Sequence, residues 1–214
     1  MKKLLQMSFV LATLLGAFAA QAQDAKAGEK KIAMCIGCHG IPGYQASFPE
    51  VHKVPMIAGQ NAKYIASALH AYAKGDRKHP TMHGIAASLT DQDIADVAAF
   101  YEQQAQAPAV PDTLPEAPAN VAELLKKGAC ISCHGANFSK PIDPSYPKLA
   151  GQHADYLGVA LKAYKTEGNS VVGRGNAIMA GQVKQFSNAE LKAIAAYIGT
   201  LPSELRTVPQ SKFR

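Results

Sequence analysis

Apolar side chains recur at Tyr64, Ile65, Ala68, Leu69 and Tyr72, and again in the same order at Tyr156, Leu157, Ala160, Leu161 and Tyr164. Steps of three and four residues put each set on one face of a helix. Two further amphipathic stretches follow at matching places, Ile94, Val97, Ala98 and Tyr101, then Leu191, Ile194, Ala195 and Ile198. Each opens on a capping box, Thr90-x-x-Asp93 and Ser187-x-x-Glu190, where side chains satisfy the free N–H groups of a first helical turn. No stretch alternates as a half-buried strand should. The pattern predicts an all-α chain.

It also predicts a duplicated one. "PMIAGQNAKYIASALHAYAKG" (55–75) lies over "PKLAGQHADYLGVALKAYKTE" (147–167) with ten of 21 positions identical. "MHGIAASLTDQDIADVAAFY" (82–101) then lies over "MAGQVKQFSNAELKAIAAYI" (179–198). Two copies are too few for a solenoid, so the expectation is two similar domains.

Two breaks in composition set the expected boundaries. Residues 1–22 run from Lys2 and Lys3 through the apolar Leu4–Ala20 stretch to Ala20-Gln21-Ala22, the form of a cleaved secretory signal peptide. Residues 104–120 hold Pro108, Pro111, Pro115 and Pro118, which favour an extended linker. The first domain is then expected at 23–103 and the second at 121–214. The chain has 22 basic and 16 acidic residues, and losing Lys2 and Lys3 lowers the net charge from +6 to +4. Residues 23–107 carry 8 basic and 8 acidic residues against 12 and 8 in 108–214, so the excess sits in the second half. Nothing clusters as densely as in a nucleic-acid binder.

Four cysteines in an exported protein would by default form two disulfides. Here all four fall in a repeated word, Cys35-x-x-Cys38-His39 and Cys130-x-x-Cys133-His134. That word is the attachment signature of a c-type haem: two sulfurs on one face of a helical turn meet the two vinyl groups of a porphyrin, and the histidine faces the iron. A thioredoxin-like pair would need no histidine and would follow a strand. A structural zinc site would need further ligands, drawn twice from a small pool. Two covalently bound haem c groups are expected. Each gives a small domain, in a chain without tryptophan, a large apolar body to pack around.

The other axial ligand follows from the second half, where Met179 is the only methionine and His153 the only histidine besides His134. Met179 aligns with Met82, whereas His153 aligns with Asn61. Duplicated sites should use duplicated ligands, so His39 with Met82 and His134 with Met179 are the expected pairs. Met34 and Met56 read as packing residues. His52, His70, His79 and His83 have no counterparts and read as surface histidines, with His79 and His83 in reserve because they flank Met82. Pro55 and Pro147, at equivalent places downstream, are candidates to offer carbonyls to the ring N–H of the ligating histidines, the alternative being plain loop prolines. Arg77 and Arg174, each five residues before a methionine, suit either haem propionates or solvent.

The order Cys-x-x-Cys-His, Pro-x-Ile/Leu-Ala-Gly-Gln, Met, then a capped closing helix, given twice behind a signal peptide, resembles the dihaem cytochrome c4 family. The resemblance implies two tandem class I cytochrome c domains, each built around a covalent haem, with propionate edges near the domain interface. It implies Cys35, Cys38, Cys130 and Cys133 as attachment points, His39, Met82, His134 and Met179 as iron ligands, and Pro55 and Pro147 as histidine-orienting prolines. One departure is a shorter segment before the first methionine, "GDRKHPT" against "GNSVVGRGNAI". The implied role is single-electron transfer in the periplasm between redox protein partners, from a respiratory complex or dehydrogenase toward a terminal oxidase. The implied carrier is a monomer loosely associated with the membrane surface. A cytochrome subunit of a flavin or molybdenum dehydrogenase fits the same features. A dihaem peroxidase fits them less well, because it needs an open iron site.

Overall fold

The structure, a computed structural model, describes residues 23–105 and 110–210. The expected signal peptide lies outside the described residues.

Helices dominate. The first domain contains α1 (Ala25–Glu29), α2 (Ala33–His39), α3 (Ala62–Lys74), α4 (Pro80–Ala86) and α5 (Asp91–Glu102). The second contains α6 (Ala119–Lys127), α7 (Cys130–His134), α8 (Ala154–Ala163), α9 (Ala177–Lys184) and α10 (Asn188–Gly199). Both capping boxes form, on α5 and α10, with reciprocal bonds between Thr90 and Asp93 and between Ser187 and Glu190. The expectation of no strands needs one correction. Among the described residues there are four two-residue strands: β1 (Gln45–Ala46) pairs antiparallel with β2 (His52–Lys53), and β3 (Arg77–Lys78) with β4 (Gly173–Arg174). They are too short for alternation to register, and the second pair joins residues from different domains.

Each domain packs its own core. Ile65 and Leu69 of α3 meet Ile94, Val97, Ala98 and Tyr101 of α5, with Ile32, Ile36 and Ala86 closing the cluster. In the second domain, Leu157 of α8 meets Ile194, Ala195 and Ile198 of α10, with Val121, Leu125 and Phe138. A further cluster of Val183, Phe186 and Leu191 lies under Met179. The repeated Ala-Gly-Gln turn is held alike in both: Gly59 N–H donates to Tyr101 O and Gly151 N–H to Ile198 O, 2.8 and 2.9 Å. Both glycines have positive φ, +84° and +66°, and a Cβ on either would strike other backbone at 2.5 or 2.7 Å. Glycine is required there on both counts.

Described residues between and after the domains are also packed. Val110 is buried, and Tyr197 Oη donates to Pro115 O, laying the segment before α6 on the second domain. After α10 the chain returns to the first domain, where Arg206 N–H donates to Ala58 O at 3.2 Å and Val208 packs on the first core.

Candidate haem sites

Helix α2 presents Cys35, Cys38 and His39 on successive turns, and α7 presents Cys130, Cys133 and His134. The methionine helices are capped directly onto the methionines: Met82 N–H donates to Nδ1 of His79, and Met179 N–H to Oδ1 of Asn176, 3.4 and 2.9 Å. All eight expected site residues line one continuous cavity of about 750 Å³ that spans both domains.

Both histidines are held in one tautomer. His39 Nδ1–H donates to Pro55 O at 2.8 Å, and His134 Nδ1–H to Pro147 O at 3.2 Å. Burial pushes both imidazoles down from their ordinary value, so they are neutral with Nε2 free as an electron-pair donor. Burial also pushes the Cys35 and Cys130 thiols up, opposite to the lowered pKa of redox-active pairs. Among the described residues, no cluster of three or more His, Cys, Asp or Glu side chains is arranged to hold a metal ion. The raised thiols do not fit the redox-dithiol reading.

At the junction of the domains, Arg77 and Arg174 sit opposite each other in the β3–β4 pair. Arg77 donates to the hydroxyls of Tyr64 and Tyr156 at 3.1 and 2.7 Å, and Arg174 to Tyr156 at 3.1 Å. Arg77 also lies over the Tyr72 ring and Arg174 over Tyr164. Their direct partners are phenols, and Nε of Arg77 is buried without a partner. Burial alone would raise the Tyr156 hydroxyl, yet the two guanidiniums outweigh it and push it down to about 8. Two cations competing for one phenol make this corner short of anions. An apolar cavity with thiols and a neutral imidazole at each end and spare cations between fits a macrocycle with an anionic edge.

His52, His79, Met34 and Met56 also line the cavity, in other roles. His52 is buried, not at the surface: its Nδ1–H donates to Glu50 O, and its ring lies beside Tyr156 across the interface. His79 serves as the α4 N-cap, and His83 donates to Tyr72 O. Met34, expected in packing, is 49% exposed at the cavity edge. His153 and Asn61 occupy matching N-cap positions, as the repeat alignment requires. Sequence reasoning missed Gln60 and Gln152. Both are 3% exposed and reach across to the other domain's backbone. The repeated Ala-Gly-Gln word was their signal.

The cytochrome c family model matches twice, over residues 25–104 and 118–202. Cytochrome c4 of Pseudomonas aeruginosa is 32% identical over 92% of this chain and 98% of its own. The chain belongs to the cytochrome c4 family. A solved structure of reduced cytochrome c4 from Pseudomonas stutzeri superposes with a TM-score of 0.63 at 29% identity, covering 85% of this chain and all of that one. A thiosulfate dehydrogenase electron acceptor of Stutzerimonas stutzeri is 32% identical over 89% of this chain and 92% of its own. As a cytochrome c4 the chain carries two haem c groups, one per domain, and transfers electrons. Among its described residues no helix is long and apolar enough to cross a membrane.

Proposed function

We propose that this cytochrome carries single electrons between redox proteins of the periplasm. In this reading Cys35 and Cys38 hold the first haem, Cys130 and Cys133 the second. His39 with Met82, and His134 with Met179, would ligate the two irons. The observation that carries it is the pair of Cys-Cys-His-Met quartets facing one cavity, each histidine locked by a proline carbonyl.

When bound, each haem supplies an iron that cycles between ferric and ferrous states. The residues of the chain set the conditions. Pro55 and Pro147 keep the proton on Nδ1, which leaves the Nε2 electron pair free to ligate an iron. The methionine thioethers, neutral and polarisable, favour the ferrous state. A histidine and a methionine held ready for each iron would leave no position for oxygen or peroxide, which favours a carrier over a peroxidase. Arg77 and Arg174 would meet the propionates, relieving the competition at Tyr156. The partners are a respiratory complex or dehydrogenase upstream and a terminal oxidase downstream. The likeness to a dehydrogenase's electron acceptor favours a second reading, service to one dehydrogenase as its dedicated cytochrome subunit. A catalytic subunit that copurifies with the native protein would select that reading.

Met179→Ala tests the ligand assignment. In the oxidised protein, the methionine–iron charge-transfer band should fall by about half, since one of two ligating thioethers is lost. An unchanged band would remove Met179 from the site.

A further inference from the structure

Two glutamines join the domains through the same peptide bonds that hold the histidines. Gln152, in the second domain, accepts from Met56 N–H at 3.0 Å and donates to Met56 O at 2.8 Å. Gln60, in the first, accepts from Lys148 N–H at 2.9 Å and donates to Lys148 O at 3.0 Å. Each oxygen also accepts the next N–H of its own chain, from His153 and Asn61 respectively, both at 3.0 Å. Two N–H groups facing each side-chain oxygen fix the orientation of both amides.

The Met56 N–H and the Pro55 carbonyl are two ends of one peptide unit, and the Pro55 carbonyl is the acceptor for His39. Likewise the Lys148 N–H and the Pro147 carbonyl share a peptide unit, and that carbonyl serves His134. A peptide whose N–H is engaged becomes a better acceptor at its carbonyl, because hydrogen bonds in a chain polarise one another. A stronger acceptor makes the imidazole a more basic ligand and stabilises ferric iron.

We infer that Gln152 and Gln60 are crossed positioning residues. Each tunes the reduction potential of the haem in the opposite domain through the proline peptide that orients its histidine. The inference rests on the proposed assignment of His39 and His134 as ligands. It makes the potential of each site a property of the interface as well as of its own domain.

The test uses the full-length protein loaded with both haems. Haem methyl resonances assigned to each domain allow the two potentials to be followed separately. Gln152→Met keeps the side chain's length and removes its hydrogen bonds. It should raise the potential of the first haem by a two- to threefold change in its redox equilibrium, about 20–30 mV at 59 mV per tenfold. The second haem should stay in place. Gln60→Met should do the reverse. The His39 Nδ1–H resonance should move upfield in Gln152→Met, reporting a weaker bond to Pro55, which a merely loosened interface would not produce. Gln152→Glu, buried and protonated against Met56 O, should restore the original potential. If Gln152→Met takes up no haem, Gln152→Asn, one methylene too short to reach, is read the same way. Shifts confined to each glutamine's own domain, shared equally by both haems, or absent would overturn the relay. Absence of a low-spin His/Met spectrum in the unmodified protein would overturn the ligand assignment beneath it.

Discussion

Where α1 meets α5 in the first domain, the contact is made by a carboxylate. Asp96 Oδ1 accepts from the Asp24 N–H at 2.9 Å and from Gln92 at 2.7 Å, and Lys31 Nζ bridges Asp96 and Asp93, each at 2.7 Å. At the matching place in the second domain α6 meets α10 through Val121 and Leu125, and the residue that aligns with Asp96 is Ala193. The lengths explain the choice. α1 has five residues, of which only Gly28 is buried, whereas α6 has nine and buries two aliphatic side chains. A one-turn helix lacks the apolar area to dock by burial, so it docks on directed bonds. Gly28 lets it come close, since a Cβ there would lie 2.1 Å from Asp96 O. One fold thus tolerates a polar or an apolar solution at the same contact, with different sensitivities.

The largest way to break the comparison is in the second domain. Leu125→Ala should destabilise it by about 2–5 kcal/mol, as core truncations do. Thermal melts read separately at the two domains' haem methyl signals should show the second falling well ahead of the first. Gly28→Ala should have a smaller effect on the first domain, about 1–3 kcal/mol, because α1 must lift from α5 to admit the methyl group. Equal melting of both domains in either variant would show that they unfold as one unit.

Acid sharpens the contrast further. Lys31 first, then the Asp24 N–H, holds the Asp96 carboxyl below its ordinary value. A depressed carboxylate stabilises the fold fully above its unfolded pKa of about 3.9, and that share is lost as pH falls through the folded value. The α1–α5 contact should therefore loosen below about pH 4, while the Val121–Leu125 contact stays indifferent. In Asp96→Asn the first domain should lose this part of its acid dependence, measured as hydrogen exchange of the α1 amides against pH. An unaltered acid profile would place the sensitivity elsewhere.

The smallest effect concerns partners. Positive charge is concentrated after residue 108, but the structure spends part of it internally. Lys162 pairs with Glu50 of the first domain, and Lys148 with Glu204 at 2.6 Å. Lys126 and Lys127 are exposed at the end of α6. Reversing either should slow transfer to an acidic partner by about two- to threefold at low salt, a modest part of whole-surface steering. Reversals at Lys30 or Lys74 should matter less. Stopped-flow rates indifferent to salt would reduce the imbalance to surface solvation.

The features legible in the sequence were those written locally. The apolar spacing around Tyr64 and Tyr156, the boxes at Thr90 and Ser187, and the two haem words each sit within a few turns of chain. The proline carbonyls were legible because the repeat aligns Pro55 with Pro147, sixteen and thirteen residues after their histidines. What escaped depends on how two domains meet. The β3–β4 pair is two residues long and joins segments almost a hundred residues apart, so no periodicity announces it. His52 is buried by Tyr156 of the other domain, and the return of Arg206 to Ala58 follows from where α10 ends. Nothing near Asp96 in the sequence announces the Asp24 N–H and Lys31 that surround it.

The reciprocal grip of Gln60 on Lys148 and Gln152 on Met56, with Arg77 opposite Arg174, is an isologous arrangement, the kind that relates the halves of a homodimer. In a true homodimer every substitution occurs twice, and the two sites remain equal. Placing both copies in one chain lifts that constraint while preserving the self-complementary patch. His79 caps one methionine helix and Asn176 the other, and a carboxylate docks one opening helix where leucine and valine dock its twin. Covalent fusion is what lets a pseudosymmetric pair of sites grow chemically unequal while the patch that joins them stays self-complementary.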